Sequence, residues 1–253
     1  VKNAPHKKTA WLYGLNPVVE ALRAGRARAV YLSAGRREKV EEVRREAARQ
    51  GVPVRLIHDP AFFDSRFPRG HQGLAAEVQR QEALSVEELL EVPARRGEPP
   101  FFVVLDLIED PRNVGAVLRS AEAAGVHGVV MQERRQAGLG PEAVKSSAGA
   151  AEHIAVSVVP NIKHALLAME EAGVEVVGAE AGGHPPPWEA DLTGGIALVI
   201  GSEGKGLRRT VSERCGRMVS LPMRGRVNSL NTSVAAGVLI YEALRQRLLK
   251  SQG

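Results

Sequence analysis

The sequence holds a single cysteine, Cys215. One thiol excludes an intrachain disulfide framework and a thiolate metal cluster, and it fits a reducing cytosol. No His, Cys and carboxylate group shows ligand spacing, so no metal is expected. No run approaches the ~18 consecutive apolar residues that a membrane span requires. The first residues, VKNAPHKKTAWLYG, have no apolar h-region and do not read as a signal peptide. A cytoplasmic protein with no membrane partner is therefore expected. Neither glycine fingerprint of nucleotide enzymes is present, which argues against an NAD- or NTP-dependent enzyme.

What is present is enough apolar residue for a real core, 44% of 253. At about 100–200 residues per domain, the length suggests one large domain or two smaller ones. Lys and Arg number 34 against 29 Asp and Glu, a net charge of +5. This mildly favours an anionic partner. Arginine outnumbers lysine, and its planar fork suits phosphate. Codon bias or a thermophilic host gives the same excess, so composition alone does not decide for nucleic acid.

The polar stretch 79–97, rich in charge and followed by Pro99-Pro100, reads as a linker with one short helix around Val86–Leu90. It divides a small domain, 1–78, from a larger one, 98–253. In the small domain Asn16-Pro17 opens a helix closed by Gly25. AVYLS (29–33), VPVRLI (52–57) and LAAEVQ (74–79) read as strands, and Lys39–Gln50 as a charged helix. Basic residues crowd the first forty positions: Lys2, Lys7, Lys8, Arg23, Arg26, Arg28, Arg36 and Arg37. They read either as a solvated surface or as an RNA grip, with Lys7, Lys8, Arg26 and Arg28 the candidate phosphate contacts.

The larger domain alternates strand and helix. FFVVLDL (101–107), VHGVVM (126–131), HIAVSVV (153–159), VEVVGAE (174–180), IALVIG (196–201) and RMVSLP (217–222) are the strands. Helices are expected at 113–124, 141–147, 161–171 and 232–249. This pattern predicts an α/β fold with a mostly parallel sheet covered on both faces. Ligands of such sheets bind at the carboxyl ends of the strands.

Four strand ends carry unusual residues. After the first strand come Asn113, a helix cap or a site residue, and Arg119, a surface charge or a cation two turns on. The stretch EAGGHPPPWEADL (180–192) has two glycines and three prolines, with His184 lacking a spaced acid partner. Gly201, Gly204 and Gly206 punctuate the turn after IALVIG, where Glu203 disfavours a phosphate. A cationic centre or ribose hydroxyls fit better there. Last, Val227–Asn231 forms a polar run before the final helix. Asn231 or Thr232 must cap that helix, which leaves Ser229 and others available to a substrate.

Three of these stretches, DPRNVGAVLRSAEAAG (110–125), LVIGSEGKGL (198–207) and LPMRGRVNSLNTSVAAG (221–237), resemble in order and spacing the SpoU (TrmH-like) branch of the SPOUT RNA 2′-O-ribose methyltransferases. KSSAGAAEH (145–153) adds to the match. YGLNPVVEAL (13–22) and HQGLAAEV (71–78) resemble the substrate-binding domain, similar to ribosomal protein L30e, of enzymes that methylate a guanosine of bacterial 23S rRNA. The resemblance implies a deep trefoil knot in the C-terminal sheet, S-adenosylmethionine as cofactor, no metal, a homodimer, and RNA rather than DNA as partner. It implies cofactor contacts from Gly178, Ala179, Gly201, Glu203, Leu221, Met223 and Leu230. Catalytic duties would fall to Arg119, Asn113, Glu203, Ser229 and Asn231, with Arg119 also meeting RNA. The prolines at 185–187 and the basic segment 133–144 depart from the family pattern. The same chemistry on tRNA or another rRNA position is the alternative, and a non-catalytic RNA-binding protein a more distant one.

Overall fold

The computed structural model describes residues 9–35, 40–59, 61–79 and 83–251. Lys2, Lys7, Lys8, Arg36 and Arg37 lie outside them.

The N-terminal domain comprises β1 (Thr9–Tyr13), α1 (Leu15–Arg23), β2 (Ala27–Ser33), α2 (Val40–Arg49), β3 (Val54–Ile57), α3 (Ala61–Asp64) and β4 (Leu74–Gln79). Its sheet runs β1-β4-β2-β3 and is mixed: β4 is antiparallel to β1 and β2, while β2 and β3 are parallel. Strand β1 was not anticipated. Its neighbours decide it, because TAWLY shows no clean alternation of polar and apolar residues. One sheet face presents Leu12, Val30, Leu32, Leu74 and Val78 to α1 and α2. The other carries Tyr13 and Tyr31 beneath Phe63, with Trp11, Phe62 and Phe67 around them.

The remaining elements are α4 (Val86–Arg96), β5 (Phe101–Asp106), α5 (Pro111–Ala123), β6 (Gly128–Gln132), α6 (Pro141–Ser146), a 3-10 turn at Ala150–Glu152, β7 (Val156–Val159), α7 (Ile162–Glu171), β8 (Glu175–Ala179), β9 (Ile196–Gly201), α8 (Arg209–Ser212), β10 (Arg217–Val219) and α9 (Thr232–Lys250). The sheet order is β10-β8-β9-β5-β6-β7, with every pairing parallel. Strands β5 and β9 are buried along their whole length, so alternate residues serve opposite faces. Val103 and Leu105 meet α5 and α9; Phe102 and Val104 meet α7 and α4. Each fully buried Leu or Phe contributes about 1.5–3 kcal/mol.

The stretch 79–97 does more than tether. Helix α4 continues past Leu90 to Arg96, ended by Gly97 in the left-handed region at φ 67. Ser85 starts it with a capping box: its hydroxyl accepts from Glu88 N–H (3.1 Å), and its own N–H donates to the Glu88 carboxylate (2.8 Å). Leu89 is fully buried against the large sheet. The chain closes through Arg247 of α9, whose guanidinium donates to Pro100 O (2.8 Å), Pro99 O (3.0 Å) and Leu192 O (3.2 Å) and lies 4.5 Å from the Phe101 ring. Burial lowers its pKa to about 10.

The two domains meet through α6 and the 3-10 turn. Arg26 pairs with the buried carboxylate of Glu152, His153 with Glu20 (2.8 Å), and Lys145 donates to Arg69 O (3.2 Å). Gly149, at φ 100, allows this approach: a Cβ there would meet Glu20 Cγ at 2.3 Å.

Candidate active site

Three strand ends of the parallel sheet frame one pocket of about 250 Å³. Ala179 ends β8 and Glu180 and Ala181 follow it; Gly201 ends β9 and Ser202, Glu203, Gly204 and Gly206 follow it; Leu221, Met223, Asn228, Ser229 and Leu230 lie between β10 and α9. This is the place the SPOUT resemblance gives to the knotted crossing. The turn after β9 folds sharply back, with Ser202 and Gly206 exchanging backbone hydrogen bonds (3.1 and 3.0 Å). Gly201 is needed there, because a Cβ would lie 2.3 Å from the Gly206 carbonyl carbon. Gly204 and Gly206 take φ of 80 and 63.

The pocket brings together seven of the expected residues: Ala179, Gly201, Glu203, Leu221, Met223, Ser229 and Leu230. Gly178 is not among its lining. A Cβ on Gly178 would meet Met218 Sδ (2.5 Å) and Cys215 Sγ (2.7 Å), so the residue serves close packing behind the strand. Burial pushes the Cys215 thiol up to about 12, which makes it an unreactive core group. Glu180 was missed, although it stands at a strand's carboxyl end as Glu203 nearly does. Apolar walls at Leu221, Met223, Leu230 and Leu239, two carboxylates, and close backbone at the glycines suit an adenosine with a cationic sulfur better than a phosphate.

Asn231 is the cap of α9: its Oδ1 accepts from Ser233 N–H (3.0 Å), Val234 N–H (3.4 Å) and the Ser233 hydroxyl (2.6 Å). Its Nδ2 also donates to Asn113 Oδ1 (3.1 Å), joining two of the expected catalytic residues. Asn113 caps nothing, since α5 begins at Pro111 and Asp110 is its cap, accepting from Arg112 N–H at 2.8 Å. Arg119 sits exposed on α5, outside the pocket lining, with no hydrogen bond or ion pair among the described residues. His184 lies 3.9 Å from Glu180, too far for a hydrogen bond.

The basic candidates are altered by the fold. Arg26 is engaged with Glu152 and with Gln79 O (2.8 and 3.1 Å), so it holds the domains together rather than facing a phosphate. Arg28 stays at the surface beside Gln79. Among the described residues no cluster of three or more His, Cys, Asp or Glu could hold a metal, and no helix is long and apolar enough to cross a membrane.

Residues 100–241 match the model of the SpoU rRNA Methylase family, more than half of the chain. The chain belongs to the SpoU rRNA methylase family. Residues 11–84 match a second model, RNA 2′-O ribose methyltransferase substrate binding. A tRNA/rRNA methyltransferase of Mycolicibacterium gilvum is 42% identical over 253 residues, covering 96% of this chain and 80% of the relative. The 23S rRNA (guanosine-2′-O-)-methyltransferase RlmB of Pseudomonas putida is 39% identical over 245 residues, covering 94% and 97%. Among solved structures, the SpoU methyltransferase AviRb of Streptomyces viridochromogenes in complex with AdoMet superposes with a TM-score of 0.78 at 26% identity, over 98% and 95% of the two chains. The architecture is that of the SPOUT methyltransferases, and the chain is an S-adenosylmethionine-dependent RNA ribose 2′-O-methyltransferase.

Proposed function

We propose that the substrate is a guanosine 2′-hydroxyl of bacterial 23S rRNA and that the enzyme acts as a homodimer without a metal. One observation carries the target: the relative named for that reaction matches along nearly the whole of both chains, N-terminal domain included. Leu221, Met223 and Leu230 would enclose the adenine, while Glu203 and Glu180 would meet ribose hydroxyls and the positive sulfur. S-adenosylmethionine supplies a methyl group already activated on sulfonium.

The chain's own residues then have to place the 2′-oxygen and hold the charge that grows on it. Asn231, linked to Asn113, stands in the chain between Leu230 and Thr232 of the pocket wall, and Ser229 lies on that wall. Arg119 is exposed on the same helix as Asn113, with no hydrogen bond or ion pair among the described residues. An arginine stays protonated, so its fitting role is stabilisation of the developing alkoxide and contact with RNA, not removal of the proton. The cytoplasm, where rRNA is made and modified, is the expected compartment.

The dimer reading is supported by α9. Val234, Val238, Tyr241 and Leu248 recur at helical spacing and are 51%, 44%, 49% and 51% exposed, an apolar stripe that a second copy would cover. Sedimentation at micromolar concentration should show a dimer; a species of only 27.1 kDa would end that reading.

The name of the M. gilvum relative leaves tRNA as a second reading. Ribose-methylation mapping in a strain lacking the gene decides between them. Loss of one 2′-O-methylguanosine in 23S rRNA, restored on re-expression, is expected; loss confined to tRNA refutes the rRNA target. Arg119→Ala should slow single-turnover methyl transfer by about 100-fold with cofactor still bound, and a drop under about threefold removes Arg119 from the chemistry.

A further inference from the structure

At the carboxyl end of the central strand β5 sits a carboxylate that the chemistry does not use. Asp106 is fully buried. Its Oδ1 accepts from Arg208 Nε (2.7 Å) and Nη2 (2.5 Å), and its Oδ2 from the Arg208 backbone N–H (2.9 Å). The same Nη2 donates to Gln132 Oε1 (2.6 Å) at the end of β6. Arg208 directly follows the 202–207 turn, which lines the pocket with Ser202, Glu203, Gly204 and Gly206. On the other side of Asp106, Leu107 is forced into the left-handed region at φ 58 as the chain turns toward Asp110 and Asn113. Its N–H donates to Gln136 Oε1 (3.2 Å), which also accepts from Gln132 N–H (3.4 Å).

One buried charge thus joins the ends of β5 and β6 to the turn that carries Glu203, and borders the turn that leads to Asn113. A carboxylate taken out of water is tolerated only with such full pairing, and two guanidinium donors on Oδ1 with the backbone N–H on Oδ2 make the pairing directional as well as strong. A turn rich in glycine has little rigidity of its own. We infer that Asp106, acting through Arg208 and Gln132, is a positioning residue that holds the 202–207 turn in its cofactor-binding shape. This rests on the reading of the pocket as the S-adenosylmethionine site.

The test is Asp106→Asn, which keeps shape but removes the charge. The KM for S-adenosylmethionine should rise about 10-fold or more, with a smaller change in kcat, because a displaced turn loses binding geometry. Trypsin, applied without any ligand, should cut faster after the exposed Lys205, while the thermal transition stays cooperative. Arg208→Lys keeps the charge but loses the fork and should show the same raised KM. The pair should also act as one unit: D106N/R208Q should lose no more than the worse single variant, to within about threefold. Unchanged KM with unchanged cleavage at Lys205, wild-type KM in R208K, or fully additive losses would each overturn the inference. If D106N does not fold, R208K carries the test, since its side chain is partly at the surface. A wild-type chain that fails to bind S-adenosylmethionine would overturn the pocket reading instead, and the ligand-free cleavage would still decide the role of Asp106.

Discussion

The two sheets of this protein are built from similar residues and put to opposite uses. In the parallel sheet the central strands are buried on both faces, and the carboxyl ends of β8, β9 and β10 converge on one pocket. In the N-terminal sheet the strands mix directions, and one face is covered by Phe62, Phe63 and Phe67 at α3, two of them partly exposed. Parallel strands all deliver their loops to one end, so a single deep site follows from the topology. A mixed sheet spreads its loops over both ends and leaves broad surface, which suits recognition of a large RNA. The junction differs again: Arg26–Glu152 and Glu20–His153 stand beside an apolar cluster that runs on from one domain into the other.

The contrast can be broken first in the cores. Phe102→Ala should cost about 3–5 kcal/mol, as for other fully buried aromatics, whereas Phe67→Ala, at a partly exposed ring, should cost roughly 1 kcal/mol. Chemical denaturation of both variants measures the difference, and equal losses would mean the N-terminal cluster is as tightly packed as the large sheet. Next comes the site. Gly201→Ala places a methyl 2.3 Å from the Gly206 carbonyl carbon. Turnover should fall about 100-fold while the melting transition remains cooperative.

The junction should respond to charge. Arg26→Glu or Glu152→Arg alone should loosen the domains at a cost of about 1–3 kcal/mol, and the double exchange should restore much of it. Small-angle scattering and methylation of long rRNA fragments report both. If the exchange restores nothing, the ion pair does not hold the domains.

The smallest effects are in pH. Burial raises the Glu152 pKa against the pull of Arg26, so the folded protein binds that proton more tightly than the unfolded chain does. The resulting stability is present at low pH and lost as pH rises through the raised value, above the usual carboxylate range. His127 behaves in the opposite way. Burial lowers its pKa, with Nδ1 accepting from Phe101 N–H (3.1 Å) and Nε2 facing Glu98 (3.0 Å). Stability that depends on its neutral form is present above the ordinary histidine value and lost as pH falls through the lowered one. Glu152→Gln should flatten the first slope and His127→Gln the second, on calorimetric melts across pH.

Much of this was legible before any coordinates. The apolar runs at 101–106 and 196–201 named the two central strands, because a strand buried on both sides has no room for polar alternation. Two of the three motifs, 198–207 and 221–237, named loops that line the pocket, since glycine and polar residues gather where a strand must end and turn; the first, 110–125, supplies none of its lining. Less legible was anything set by distant neighbours. Helix α4 ran further than expected, and Ser85 with Glu88 was the signal that announced its start. Strand β1 needed β4 beside it.

By itself, then, the sequence determined the alternation of elements, because periodicity and turn chemistry are local properties of the chain, and its three motifs marked the family and a list of candidate site residues. Only the tertiary structure decided which of those residues share a space. It set Gly178 behind the strand, joined Asn113 to Asn231 across 118 positions, and left Arg119 outside the pocket. It turned Arg26 from a candidate phosphate contact into one half of an interdomain ion pair. The physical reason is the same in each case: a side chain's role depends on the charge and packing around it, and those neighbours arrive from parts of the chain that no local pattern connects.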